Sequence, residues 1–339
     1  MAAILGIEST CDETAAAVVA DGRRVQSNVV ATQFDLHAKY RGVVPEIASR
    51  AHIQNILPVL REALHTAGVT HGQLDAVAVA HRPGLIGSLL IGVTAAKALA
   101  WSIGKPLIGV DHVHAHLYSV LLDGEFEPRM PAVGLVVSGG HTALYRLAAM
   151  DDVALIGSTI DDAVGEAYDK VAAILALGFP GGPVLDALAA EGDARAIAFP
   201  RSVLHRDSLD FSFSGLKTAV LYHVRGTPGR PRAAKLAQHE VRHVAASFQA
   251  ACIDVLLAKI RRAIQQTGAQ SVIVGGGVSA NRGLRQALAR IGIPVYLPAP
   301  AYCTDNAAMT AGLAYLYHQR GQFSTLDLDA VTSSRFSCG

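Results

Sequence analysis

One pattern occurs twice in this chain of 339 residues, and it constrains the fold more than any other feature of the sequence. A short apolar run, a polar or glycine-containing turn and a second β-rich run follow one another at residues 3–20 and again at residues 131–147. Runs bounded by turn residues in this way predict strand-turn-strand units. The two copies lie about 130 residues apart, which is the scale of one domain. The sequence therefore predicts an α/β protein with two duplicated halves.

Helical patterns fill the segments between the predicted strands. The helices predicted from apolar periodicity cover residues 45–67, 89–103, 112–122, 161–177, 280–291 and 305–319, with a longer helical region from 216 to 268 that is broken at 226–232. Turns at residues 82–84 and 275–277 each follow an apolar strand and precede a helix, so they mirror one another. The economical interpretation is two halves that face one another across a nucleotide cleft.

Composition excludes several classes of protein. With 51% hydrophobic and 17% charged residues the chain is not disordered, and a formal charge of +1 gives no whole-chain attraction to nucleic acid or membrane. The four cysteines contain no C-x-x-C pair, so they fit a reducing cytoplasm rather than a disulfide framework. No basic region precedes Glu8 and Asp12, which argues against a signal peptide, and the apolar stretch at 85–104 contains Lys97 and favours a buried helix.

A histidine pair is the first candidate metal site. His112 and His116 are four residues apart in a predicted helix, so both imidazoles project from one face and can share a metal ion, whereas His114 points elsewhere. A carboxylate is expected as the missing ligand, and Asp305, at a predicted helix start, could be supplied by the second half across the cleft. A polar stripe on a surface helix and a helix N-cap explain the same residues. The spacing does not select iron, zinc or manganese.

Two glycine turns are candidate phosphate sites. Ser138, Gly139 and Gly140 follow an apolar strand, and the amides of such a turn approach a phosphate with no Cβ in the way. An ordinary hairpin turn has the same composition. The turn at 275–277 lies between a buried strand and a helix, where exposed amides suit a nucleotide and Asn281 could bond to its base or ribose.

Acidic residues mark two further places. Asp12 and Glu13 lie at the tip of the first predicted turn, where a carboxylate can face a metal, a phosphate or a nucleophile, although a solvated turn is the simpler interpretation. Asp162, Glu166 and Asp169 share one face of a predicted helix, a row that is more typical of a solvated helix than of a ligand site. A glycine-proline turn is predicted at 178–183, and its residues 181–183, together with Asp186, could close over a ligand.

Taken in order, these motifs resemble the TsaD family, the tRNA adenosine threonylcarbamoyltransferases. The resemblance runs from Ile4 to about Leu316, and the motifs that carry it lie at residues 6–14, 42–50, 112–116, 137–142, 161–170, 179–183, 210–217, 276–281 and 303–306. The resemblance implies an actin-like, sugar-kinase-like ATPase fold with two duplicated domains around a nucleotide cleft. The expected domains are residues 1–110 with the C-terminal helix 305–320, and residues 111–304 with a helical insertion.

The resemblance also implies the reaction and its ligands. The family transfers a threonylcarbamoyl group from threonylcarbamoyl-AMP to the exocyclic amine of the adenosine 3′ of the anticodon, in tRNAs that read codons beginning with A. The implied metal ligands are His112, His116 and Asp305, usually assigned to iron, with zinc or manganese as alternatives. The implied binding residues for the adenine nucleotide, threonylcarbamoyl-AMP or ATP, are Val136, Val137, Ser138, Gly139, Gly140, His141, Asp169, Gly182, Asp186 and Asn281. Asp12 and Glu13 are the candidate proton acceptors.

Partners follow from the same resemblance: tRNA, a TsaB-like paralogue, a TsaE-like P-loop ATPase and an upstream adenylate-forming enzyme, in the cytoplasm and without a membrane. The chain departs from the family pattern in two places. Arg82 stands in a turn that is usually glycine-proline-glycine, from which we expect a modest change in nucleotide affinity, and Asp111 stands where a histidine often precedes the ligand helix.

Other functions remain as alternatives. A small-molecule kinase of the same fold would use the same phosphate loops, but it has little use for two imidazoles. A nucleotide-dependent scaffold that positions tRNA without its own catalysis is a third class. A metalloprotease is disfavoured because Val113 follows the first histidine, where an H-E-x-x-H motif needs a glutamate.

Overall fold

The structure is a computed structural model that describes residues 1–40, 42–202, 207–231 and 236–333. It contains two compact units. Unit 1 comprises Met1–Glu127 together with the C-terminal part of the chain from Pro298, and unit 2 comprises Pro128–Leu297. The chain thus leaves unit 1, builds unit 2 without interruption, and returns to complete unit 1.

The secondary structure alternates strands and helices along the described chain. The strands are β1 (Ala3–Glu8), β2 (Glu13–Ala20), β3 (Arg24–Thr32), β4 (Ala76–Arg82), β5 (Leu107–Asp111), β6 (Ala132–Val137), β7 (Thr142–Ala149), β8 (Asp152–Ser158), β9 (Gly226–Thr227), β10 (Arg230–Pro231), β11 (Ser271–Gly275) and β12 (Val295–Tyr296). The helices are α1 (Phe34–Ala38), α2 (Pro45–Ala67), α3 (Ile86–Ile103), α4 (His112–Tyr118), α5 (Val164–Ile174), α6 (Gly181–Ala189), α7 (Ser214–Arg225), α8 (Gln238–Thr267), α9 (Arg282–Leu288) and α10 (Ala307–Gln319).

Each unit is built on a five-stranded sheet, and the two sheets have the same topology. The order is β3-β2-β1-β4-β5 in unit 1 and β8-β7-β6-β11-β12 in unit 2. In both, the first three strands pair antiparallel, and two later strands add in parallel beside the first. The predicted duplication is confirmed, with β1 and β2 corresponding to β6 and β7.

Helices cover both faces of the sheet in unit 1. Strands β1 and β2 are buried along their whole length, which fits the apolar runs at residues 3–7 and 15–20 within them. Leu5 and Ile7 pack against α2 and α3. Gly6 points to the opposite face, where a Cβ would meet the backbone of α10 at 2.4 Å. Alternate residues of one strand therefore hold helices on opposite sides, and glycine lets α10 approach closely.

The core of unit 2 is organised around α8, a helix of 30 residues. Its apolar residues pack with strands β6 and β11 and with helices α5 and α7. By length and composition, α8 and α3 would also qualify as membrane spans. Both have packing roles in these units, because α8 is largely buried and α3 covers the sheet of unit 1.

Several boundaries differ from the sequence-based expectation. The units divide after Glu127 and before Pro298, whereas residues 110 and 304 were expected, because α4 packs against α10 and so belongs to unit 1. The helix predicted at 161–177 begins only at Val164. The turn predicted at 178–183 extends only to residue 180, because Gly181 begins helix α6, and strand β8 was not predicted.

Candidate active site

Helix α4 places two histidines at the end of strand β5. Asp111 is the last residue of β5 and caps the helix, since its Oδ1 accepts hydrogen bonds from the amides of Val113 at 2.9 Å and His114 at 3.3 Å. His112 and His116 follow on one face, both buried, with ring centroids 4.6 Å apart. They are therefore not a solvated surface stripe.

Asp305 provides a carboxylate to this pair. Its Oδ1 lies 3.1 Å from His116 Nε2 and 3.6 Å from His112 Nε2. Asp305 precedes α10 and belongs to unit 1 together with the two histidines. The expected domain of residues 1–110 with helix 305–320 placed it there, whereas the suggestion that the second half could supply it is wrong. Asp305 is also not the N-cap of α10: Asn306 caps that helix by accepting from Met309 N, which leaves the Asp305 carboxylate directed at the histidines.

The three side chains fit a divalent metal ion. One ligand atom from each lies within 4.8 Å of the others. Two ligand atoms bound at about 2.1 Å to one ion lie roughly 3–3.5 Å apart, close to the two distances measured to Asp305. Two imidazoles and one carboxylate form the donor set typical of non-haem iron and also accepted by zinc.

The acidic turn between β1 and β2 belongs to the same unit. Asp12 and Glu13 are both buried, so a solvated turn is excluded. Burial and the charges of Asp305 and Asp12 raise the pKa of Glu13 well above its usual value. The turn is held against the start of α3, where the amide of Leu85 donates to the carbonyl of Thr10 at 2.9 Å. The carboxylates are thus fixed near Asp305.

Arg82 does not act as an unpaired cation. Its Nε lies 3.2 Å from Asp111 Oδ2, and the Asp111 side chain is only 2% exposed. The pairing arises because a bulge in the β4–β5 register sets Arg82 opposite Asp111. The two departures from the family pattern are therefore in contact with one another, next to the first metal-ligand candidate.

The glycine turn at residues 138–140 lies in unit 2, between β6 and β7. Ser138 N donates to the His141 carbonyl at 2.8 Å, and His141 N donates to Ser138 Oγ at 3.0 Å, which closes a tight turn. A Cβ on Gly139 or Gly140 would meet nothing within 4 Å. Within the described chain their amides donate to no other residue. Val136 and Val137 are buried in β6.

Two other glycines let neighbouring elements approach this turn. Gly165, near the start of α5, donates its amide to the Ser138 carbonyl at 3.2 Å, and a Cβ there would lie 2.4 Å from that oxygen. Gly276 has φ +90°, and its Cβ would lie 2.4 Å from the Val137 carbonyl oxygen. Both positions need glycine, so the glycine turn at 275–277 packs on the one at 138–141.

Two of the remaining candidate residues of unit 2, Asn281 and Asp186, are linked through Gln249. Asn281 Nδ2 donates to Gln249 Oε1 at 2.7 Å, and Gln249 Nε2 donates to Asp186 Oδ1 at 3.2 Å. Asp169 lies on α5 and accepts from Gly181 N at 2.7 Å, beside the open position of Gly182. Gln249 was missed by sequence analysis, because a single glutamine in a long helix carries no motif.

Asp161 and Asp162 have a structural use instead of forming part of a solvated helix. Asp161 accepts hydrogen bonds from Ser212 Oγ, Phe213 N and Ser214 Oγ, which ties the start of α7 to the start of α5. Although burial opposes it, these hydrogen bonds lower the pKa of Asp161. Asp162 pairs with two lysines, Lys170 at 2.7 Å and Lys217 at 2.6 Å, and both contacts lower its pKa against the effect of burial.

Comparison with known proteins finds close relatives. The sequence model of a family described as "TsaD: tRNA N6-adenosine threonylcarbamoyltransferase" matches residues 24–312. A protein of Symbiobacterium thermophilum named tRNA N6-adenosine threonylcarbamoyltransferase is 53% identical over 333 residues, which are 97% of this chain and 95% of that protein.

Solved structures with low identity share the fold. HypF of T. kodakarensis superposes with a TM-score of 0.60 and 14% identity, covering 96% of this chain and 49% of HypF. The (R)-2-hydroxyglutaryl-CoA dehydratase component A of Acidaminococcus fermentans gives 0.53 and 13%, covering 94% of this chain and 99% of that one. The α/β, actin-like ATPase fold predicted from the sequence is confirmed.

Proposed function

The chain belongs to the TsaD family of tRNA N6-adenosine threonylcarbamoyltransferases, and on that premise we propose the reaction that it catalyses. A threonylcarbamoyl group passes from threonylcarbamoyl-AMP to the N6 amine of the adenosine 3′ of the anticodon, in tRNAs that read codons beginning with A. The observation that carries this proposal is the cluster of His112, His116 and Asp305, which a small-molecule kinase does not need.

The bonds exchanged define what the protein must do. The N6 nitrogen forms a bond to the carbamoyl carbon, the bond from that carbon to the phosphate oxygen breaks, and AMP leaves with the electron pair. The amine loses one proton. Asp12 and Glu13 are the proposed acceptors, because both are fixed carboxyl groups near Asp305.

His112, His116 and Asp305 are the proposed ligands of a divalent metal ion, for which we favour iron over zinc or manganese. When bound, such an ion supplies a Lewis acid that stabilises negative charge on an oxygen of the substrate. The protein contributes a buried, ordered set of donors. Asp111 fixes the start of α4 and Asn306 the start of α10, so both ligand-bearing segments have defined ends.

Unit 2 is proposed to hold the adenylate, or ATP in its place. The unengaged amides of Gly139 and Gly140 suit phosphate oxygens, with Ser138 and His141 closing the turn. The side chains of Val136 and Val137 are buried in strand β6, so these residues can offer only backbone atoms to the ligand. Asp186 and Asn281 have polar side chains tied to one glutamine, an arrangement suited to the hydroxyls or base of an adenosine, and Asp169 with Gly182 lies at the start of α6.

We also propose the partners and the compartment. The tRNA is the acceptor, a separate enzyme forms the adenylate, and a TsaB-like paralogue and a TsaE-like P-loop ATPase assist. A formal charge of +1 supports a tRNA surface that is shared with such partners. Cysteines without a pairing pattern support a reducing cytoplasm.

The test is mass spectrometry of nucleosides from an unmodified tRNA that reads an A-starting codon. The tRNA is incubated with the purified protein, threonylcarbamoyl-AMP and the partner proteins. We expect threonylcarbamoyladenosine with the native chain and none with the His112→Ala, His116→Ala variant. No product from the native chain, with a reference enzyme active in the same mixture, would overturn the proposal and favour the kinase or the non-catalytic scaffold.

A further inference from the structure

Glu8 is an acidic residue in the fully buried strand β1 of unit 1, where an apolar residue would be expected. It ends strand β1, where all six residues are buried, and its own exposure is 0%. A carboxylate in such a place is strongly unfavourable unless polar partners satisfy it. None of the roles assigned above to the metal ligands or to the proton acceptors uses Glu8.

Three contacts satisfy this carboxylate. Its Oε1 accepts from the amide of Thr10 at 2.8 Å. Its Oε2 accepts from Thr310 Oγ1 at 3.3 Å and lies 3.0 Å from His112 Nδ1. Glu8 therefore ties the turn after β1 and helix α10 to one edge of the His112 ring.

The contact with His112 defines that ring's protonation. A carboxylate only accepts hydrogen bonds, so Nδ1 of His112 carries the proton. In a neutral imidazole the other nitrogen, Nε2, then has the lone pair. Nε2 is the atom that faces Asp305 at 3.6 Å, which is the direction that metal ligation requires.

His116 lacks an equivalent arrangement. Its Nε2 also faces Asp305, but its buried Nδ1 has no hydrogen-bond partner among the residues that the structure describes. The two candidate ligands thus differ: the Nδ1 side of the His112 ring is held by a carboxylate, whereas the Nδ1 side of the His116 ring is held by packing.

We propose that Glu8 is a positioning residue of the metal centre, which fixes the tautomer and the ring orientation of His112. The inference rests on the proposed metal site. Carboxylates behind ligating histidines raise the basicity of the ligand, and their loss typically lowers metal affinity about 10–100-fold. Glu8 acts through His112 and does not touch the ion.

The experiment compares Glu8→Gln with a matched control, Thr310→Val. The control removes one hydrogen bond to Glu8 and leaves His112 its carboxylate. Zinc affinity is measured by competition with a chelator in the full chain. We expect Glu8→Gln to bind zinc about 10–100-fold more weakly and Thr310→Val to stay within about threefold. If Glu8→Gln does not fold, Glu8→Asp, which keeps the charge but shortens the side chain, is expected to weaken zinc binding by a smaller factor.

A second measurement separates positioning from a merely structural role. In the zinc-loaded protein with ¹⁵N-labelled histidine, we expect a downfield Nδ1 proton on His112 that moves upfield in Glu8→Gln. Native zinc affinity and an unchanged resonance in Glu8→Gln, even with a lower melting temperature, would overturn the inference. The benchmark is His112→Ala: if it too binds zinc like the native chain, the metal centre itself is refuted.

Discussion

The two units share a strand topology but differ in what they place between their first two strands. In unit 1 the β1–β2 connection carries Asp12 and, at the first residue of β2, Glu13, both buried and close to Asp305. In unit 2 the corresponding β6–β7 turn carries Gly139 and Gly140, with open space and unengaged amides. One scaffold therefore presents a turn at the same point of each sheet, and the residues in that turn are the basis for the different roles proposed for the two units.

The largest effect on ligand affinity is expected when one carboxylate in each unit is replaced by an amide. Asp305→Asn weakens a ligand of the proposed metal site, so we expect zinc affinity to fall more than about 100-fold. This exceeds the loss that is typical when a residue that only hydrogen-bonds to a metal ligand is mutated. Asp186→Asn serves as the counterpart in unit 2 and should lower AMP affinity only. Both affinities are measured by calorimetry, AMP in the presence of a chelator. Loss of both affinities in either variant would show that the two units do not divide the chemistry.

The next effect concerns glycine packing in unit 2. Gly276→Ala combines φ +90° with a Cβ 2.4 Å from a carbonyl oxygen, so we expect a loss of about 3 kcal/mol in the free energy of unfolding. Urea denaturation measures it. Gly139→Ala is the matched control, because that position is open, and it should unfold like the native chain. Equal stability of the two variants would contradict the packing described for these turns.

A third prediction concerns the ion pair at the end of β5 in unit 1. Arg82→Met leaves the Asp111 carboxylate buried without its guanidinium, and we expect a cost of about 2 kcal/mol. Asp111→Asn keeps an oxygen that caps α4 and should cost less. The double variant should recover part of the loss, which a thermodynamic cycle detects. Strict additivity of the two single changes would mean that the pair does not act as a unit.

A smaller effect is expected from the unit 2 turn itself. In Gly139→Ala the added methyl group occupies the space above the free amides, and we expect AMP to bind about tenfold more weakly, equivalent to about 1.4 kcal/mol. Calorimetry with AMP measures the change, and zinc affinity is the internal control. An unchanged AMP affinity would remove the anion role assigned to this turn.

The smallest effects are opposite pH responses of the two units without metal. Burial lowers the pKa of His112, but Glu8 and Asp305 raise it to about 9. A raised folded-state pKa stabilises fully below the unfolded value of 6.5 and is lost as pH rises towards 9. Asp161 and Asp162 have lowered pKa values, so their contribution is present above 3.8 and is lost as pH falls below it. Hydrogen exchange resolved by unit, followed against pH, measures both. The same direction of change in both units would contradict these assignments.

The sequence was sufficient where a feature depends on local pattern. Helix α2 begins and ends where its periodicity and Gly68 predict, at 45 and 67. The His112 and His116 spacing correctly placed two buried rings on one helix face. Asp305 was a candidate ligand from the sequence alone, but nothing local distinguishes it from an N-cap, and only the family resemblance favoured the ligand.

Features that depend on tertiary contacts could not be predicted. The Arg82 and Asp111 pair needs the bulge in the β4–β5 register, which no single-strand pattern shows. Helix α6 begins with Gly181 and Gly182, residues that ordinarily signal a turn, because close packing on α5 admits no side chain at Gly181. Gln249 is identified as part of the candidate site only by its hydrogen bonds to Asp186 and Asn281, which lie 63 and 32 residues away along the chain.

The interrupted path of unit 1 has a consequence for biosynthesis. Unit 2 is continuous from Pro128 to Leu297, so it is translated as one uninterrupted segment that contains all of its strands. Unit 1 at that moment has its sheet and both histidines but neither α10 nor Asp305, which emerge last. The proposed metal ligands are therefore synthesised in two steps, separated by the translation of the whole of unit 2. The proposed triad is incomplete until Asp305 has been translated.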